Sequence, residues 1–128
     1  MYQTAYQGGF LKKFEFHQMQ KNGQTFDLFP IGMGKQGNKS PVYCGNTQIS
    51  LIEKDCIVYN DLHEYHVFAL DREAGLISAL FCMYMYVNAA YKPGVKVTES
   101  KVNSVSVTTN KLLKEKYDPG FKNRVSPR

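Results

Sequence analysis

The segment FEFHQMQ, KNGQ, TFDLFPI constrains the fold more than any other part of the chain. Phe14 and Phe16 alternate with Glu15 and His17, an Asn22-Gly23 pair follows, and a second alternating run begins at Thr25. Asn-Gly between two alternating runs is the strongest short-range signal for a β-hairpin, because both residues accept the positive φ that a tight turn needs. Further strand-like runs cover Gln48 to Glu53, Asp55 to Tyr59 and Tyr65 to Leu70, each bounded by short polar turns. The spacing predicts an antiparallel meander of about five strands. Between hairpin and meander, GMGKQGNKSP holds three glycines, two lysines and a proline and reads as a flexible exposed loop.

From Ala74 to Tyr91 the chain carries no charge, with Asp71 placed to cap a helix and Glu73 near its positive end. A long helix, apolar nearly all round, is one reading of this stretch. Phe81, Met83, Met85 and Val87 also alternate with Cys82, Tyr84 and Tyr86, which leaves a strand as the alternative reading of residues 81–87. A membrane span is rejected on Ser78, Asn88 and the three tyrosines. A helix apolar on every side needs cover on its second face, either from a curled sheet or from a neighbouring subunit. Leu76, Leu80, Met83, Tyr84 and Val87 are the candidate oligomer interface.

Past Lys92-Pro93-Gly94, Val95 and Val97, then Val105, Val107 and Thr109, predict a closing hairpin. KLLKEKY adds a short helical turn, and DPGFKNRVSPR reads as a basic tail with no core-forming pattern. The fold class is therefore mainly β (α+β): a small antiparallel sheet or an OB-like barrel with one long apolar helix. The organisation is a single compact domain over 1–117 and a C-terminal tail over 118–128. The order of strands, one late helix and two more strands is similar to that of an oligonucleotide-binding barrel, a resemblance of order alone.

The 128 residues suffice for one core. Charge is unevenly spread: basic residues outnumber acidic five to two in residues 1–50 and nine to three in 91–128, whereas acidic outnumber basic six to two in 51–90. Basic ends attract a polyanion through their long-range field, and the same polarity lets one copy dock on another's acidic middle. Cys44, Cys56 and Cys82 are odd in number and read as free thiols of a reducing compartment. Nothing near the N-terminus resembles a signal peptide, so the expected location is cytoplasmic or intracellular, or within a virus particle.

Three motifs suggest chemistry and each fails on context. Gly32, Gly34 and Gly37 spell G-x-G-x-x-G, but Pro41 and a strand follow where a phosphate-binding loop needs a helix. Asp61, His63, Glu64 and His66 crowd together, yet two histidines three apart on a strand point to opposite faces, and no metal-ligand spacing is present. Cysteine and histidine occur without a pattern that fixes a nucleophile beside a base. No cofactor, metal or enzymatic activity is expected.

The remaining signal is aromatic and basic residues interleaved. Phe14, Phe16, Phe26 and Phe29 fall at alternating, core-type positions. Tyr2, Tyr6, Lys12, Lys13 and Lys21, with Lys35, Lys39, Lys122, Arg124 and Arg128, form the candidate nucleic-acid-binding set. Exposed rings on a β-surface stack unpaired bases while lysines meet phosphates, which requires no sequence motif. The leading expectation is a small basic protein that binds single-stranded nucleic acid. The alternatives are a self-assembling structural subunit of a phage or virus particle, with copies of itself as partner, and a small inhibitor or adaptor that binds another protein.

Overall fold

Strand β1 (Tyr2–Gln7) runs antiparallel to β2 (Phe14–Lys21), pairing Tyr2 with Met19 and Gln7 with Phe14. β2 then turns into β3 (Gln24–Leu28) across Asn22 and Gly23, whose φ values of 52° and 78° are those of a two-residue hairpin. The computed structural model describes residues 2–7, 14–59, 62–89, 101–103, 107–109 and 111–125.

The glycine-rich stretch is built into the sheet instead of looping away from it. β4 (Ile31–Gly32) leads to a single 3-10 turn at Gly34–Gln36 and then to β5 (Asn38–Cys44). β3 and β4 both pair with β5, one after the other, so they act as a single strand interrupted at Phe29-Pro30. Pro41 sits opposite this break. Its carbonyl accepts from Phe29 N at 3.0 Å, and in an antiparallel strand a residue's N–H and C=O point the same way. The donor that proline lacks therefore falls where no regular ladder is present, which explains its place in an interior strand.

β6 (Thr47–Lys54) pairs with β5 across a bulge at Val42/Tyr43, and β8 (His66–Ala69) pairs with β6. β7 (Ile57–Tyr59), shorter than expected from sequence, pairs with β9 (Lys101–Asn103) in a separate two-stranded ribbon. The main sheet runs β1-β2-β3-β5-β6-β8, all antiparallel. Among the described residues no pairing joins β1 to β8, so closure into an OB-like barrel is not found there.

Helix α1 (Arg72–Ala89) settles the alternative at 81–87 in favour of helix. Asp71 Oδ1 accepts from Ala74 N at 2.8 Å, the N-cap bond that its position implied. Ile77 and Phe81, four apart and therefore on one side, are fully buried against Met19, Phe26, Leu28, Val42 and Ile52. Each side chain of this size contributes about 1.5–3 kcal/mol on burial. No described helix is long and apolar enough to cross a membrane.

The opposite face of the sheet is covered by the C-terminal segment. α2 (Lys111–Lys114) places Leu113 on Phe16, Phe29 and Ile31. α3 (Phe121–Val125) buries Phe121 and Val125 against Leu51, so residues 118–125 pack on the sheet where the sequence shows no core-forming pattern. Leu51 and Ile52, adjacent on β6, are both buried, one toward each layer. The result is a three-layer arrangement of α1, sheet, and α2 with α3. Of the expected closing hairpin, Val107 bridges to Met33 and Thr108 N donates to Gly32 O at 2.8 Å, while Val95, Val97 and Val105 lie outside the described residues.

Candidate nucleic-acid interface and the outer face of the helix

The segment 111–125 carries five basic residues, Lys111, Lys114, Lys116, Lys122 and Arg124, against Glu115 and Asp118. Leu113, Phe121 and Val125 turn inward, so the cations are left on the outside: Lys111, Lys114, Lys122 and Arg124 are exposed and Lys116 is half-buried. Lys111 and Lys114, one helical turn apart, share a face of α2.

Several of these cations are held in place by rings beneath them. Lys116 Nζ lies 4.9 Å from the centroid of Phe29 and 5.4 Å from that of Tyr43, whose hydroxyl donates to Lys116 O at 2.7 Å. Lys122 Nζ lies 4.8 Å over Phe68, and the Arg124 guanidinium 5.6 Å over Phe121. Such contacts are worth about 0.5–1 kcal/mol each where exposed. Burial, and then the carboxylate of Asp118, push the Tyr43 hydroxyl above its ordinary value.

The rings that meet these cations, Phe29, Tyr43, Phe68 and Phe121, belong to the same chain. Phe16, Phe26 and Phe29 are buried, and among the described side chains every Phe and Tyr is buried or half-buried. Each face of the sheet carries a helical layer, and among the described side chains no Phe or Tyr ring lies open for base stacking.

The structure brings two of the candidate lysines onto one carboxylate. Lys39 on β5 and Lys122 on α3 reach Glu53 at 3.3 and 3.2 Å, and Glu53 is only 13% exposed. Arg124 meets Asp118 at 2.8 Å, and this pair, with the Gly120 N–H, holds the Asp118 carboxyl below its usual range. Lys35 lies in the 3-10 turn, exposed, and Lys21 ends β2, half-buried. Tyr2 and Tyr6 belong to β1; Lys12, Lys13 and Arg128 lie outside the described residues. Lys111 and Lys114 were absent from the candidate set. The two flank the Leu112-Leu113 pair, and that amphipathic spacing was their signal.

The candidate oligomer set on α1 divides. Leu76, Met83 and Val87 are 51%, 65% and 58% exposed, whereas Leu80 packs against the core and Tyr84 is half-buried with its ring 5.8 Å from that of His17. Leu62, Val67 and Leu70, in the segment leading into α1, are exposed as well.

Among the described residues no three His, Cys, Asp or Glu side chains of the histidine-rich turn converge, and Asp61 lies outside them. His66 meets Glu64 at 3.9 Å, and the His63 ring rests 5.5 Å from that of Tyr86. Comparison with protein-family models, with curated proteins and with solved structures finds no match to this chain.

Proposed function

We propose that this chain binds single-stranded nucleic acid through the cationic outer layer formed by α2, α3 and the turn between them. The observation that carries the reading is the outward presentation of Lys111, Lys114, Lys122 and Arg124 from a segment whose apolar residues anchor it to the sheet. A backbone of phosphates is the natural complement of such a surface, since neutralising them releases condensed counterions. With the described rings turned inward, binding rests on phosphates and discriminates little between bases. Lys35 and Lys39, and by their sequence alone Tyr2, Tyr6, Lys12, Lys13 and Arg128, belong to the same proposal.

The test is fluorescence anisotropy of a labelled oligothymidylate at low salt with the wild type and a Lys111→Glu/Lys114→Glu variant. Reversing two exposed charges should weaken binding at least about tenfold, or ~1.4 kcal/mol. Equal affinity in the two proteins would place the contact elsewhere and refute the reading.

A second reading, a self-assembling structural subunit such as that of a phage or virus particle, has its own support. Among the described residues, six of the seven exposed large apolar side chains belong to α1 or to the segment leading into it, and such a concentration of exposed apolar surface is what an interface between subunits requires.

A further inference from the structure

Leu76, Leu80, Met83 and Val87 follow one another at intervals of four, three and four residues along α1. That is the spacing of a seam along which two helices interdigitate. From the structure we infer that α1 is a self-complementary face on which a second copy of this chain docks, its α1 antiparallel to the first. A twofold axis between Leu80 and Met83 then sets Leu76 opposite Val87 of the second copy, and Leu80 opposite Met83.

Charge selects this occupant and this orientation. No charged residue lies between Ala74 and Ala89, so the seam offers nothing to a polar partner. A lipid surface is disfavoured, because a helix lying on one carries Lys and Arg along its polar side and α1 has Arg72 alone. Docking α1 on the cationic layer of another copy would strip water from Lys111 and Lys114 without apolar partners in return. In a parallel pair, Asp71 and Glu73 of the two copies would adjoin and the helix dipoles would align. In the antiparallel pair these ends lie at opposite limits of a helix about 27 Å long, well beyond the ~8 Å screening length of physiological salt.

Area sets the strength. An 18-residue helix of about 10 Å width covers roughly 270 Å² per copy, or roughly 540 Å² for the pair, against about 1,200 Å² for a stable interface. The dimer is accordingly weak, with a Kd of the order of 10⁻⁵–10⁻³ M.

Because α1 and α2 with α3 lie on opposite faces of the sheet, such a dimer turns its two cationic layers outward in opposite directions. If those layers bind single strands, as proposed above, one dimer bridges two strands.

Sedimentation equilibrium of the full chain tests the pairing. The mean mass of the wild type should climb from 14.6 kDa toward twice that value as concentration rises to about 1 mM, while Met83→Glu remains at the monomer mass with an unchanged unfolding midpoint. Wild type that stays monomeric, or a Met83→Glu variant that dimerises equally, overturns the inference. Mixing Leu76→Cys with Val87→Cys under mild oxidation should yield a disulfide between those two positions by peptide mass mapping. A Leu76→Cys sample that cross-links to itself more readily overturns the antiparallel orientation. A dimer that ignores oligothymidylate refutes only the nucleic-acid reading, and a strand-binding monomer refutes only the pairing.

Discussion

The buried hydroxyl of Ser78 on α1 donates to the carbonyl of Ala74 at 2.7 Å, so the proton it shares with Ser50 on β6 must come from Ser50. Ser78 has only one hydrogen to give. The two residues, both wholly buried, therefore tie helix to sheet with a defined polarity. Ser78→Ala leaves the Ser50 hydroxyl as an orphaned buried donor and should cost about 1–3 kcal/mol. Ser50→Ala leaves Ser78 its backbone acceptor and should cost about 1 kcal/mol or less. Urea denaturation of the two variants measures the difference, and equal losses would contradict the assignment.

Gly37 has φ of 81°, and a Cβ there would collide with the Lys54 carbonyl and press on Asp55 Cα. Gly23 has a similar φ of 78° but open space around it. Gly23→Ala should cost about 1 kcal/mol from backbone strain, and Gly37→Ala at least about 1 kcal/mol more, because backbone atoms must also move. Thermal unfolding of both variants checks the order.

Phe121 is 1% exposed, so Phe121→Ala should destabilise the protein by about 3–5 kcal/mol, the usual range for removing a buried ring. The urea midpoint is the measurement. A loss below about 1 kcal/mol would mean that α3 contributes little to the folded state.

How much of this was legible in the sequence depended on whether one element or two decided the outcome. The Asn22-Gly23 turn and the Asp71 cap are local, and each stands where its residue type implied. The interior position of β5 was hidden because Gly37 and Pro41 look like loop residues in isolation. Only the break between β3 and β4 gives Pro41 a site without a missing donor. Phe121 and Val125 were overlooked because two apolar residues four apart in a five-residue helix make no pattern by themselves. The counterpart signal was on β6, where Leu51 and Ile52 are both apolar: a strand hydrophobic on both sides calls for a layer on each. Of the candidate nucleic-acid set, Lys122 and Arg124 project from α3 as exposed cations. The alternating phenylalanines read as core-type positions, and Phe16, Phe26 and Phe29 are buried, while the side chains of Tyr2 and Tyr6 lie outside the described residues.

Burial pushes the Cys82 thiol up from its ordinary 9.0 to about 11. An acid raised in the folded state favours folding in its neutral form, so this contribution is whole below pH 9 and fades as pH climbs toward 11. Alkylation of Cys82 by iodoacetamide, followed by peptide mass mapping, should therefore accelerate about tenfold per pH unit between pH 8 and 10. A plateau near pH 9 would show the thiol to be unshifted.

The proposal that the C-terminal layer meets phosphates is tested most directly by measuring oligothymidylate affinity across a salt series. About four phosphate contacts, from Lys111, Lys114, Lys122 and Arg124, should give log Kobs against log salt a slope of about −3. The slope should fall by about half in Lys111→Glu/Lys114→Glu. An affinity indifferent to salt, or no binding at low salt, would contradict the account.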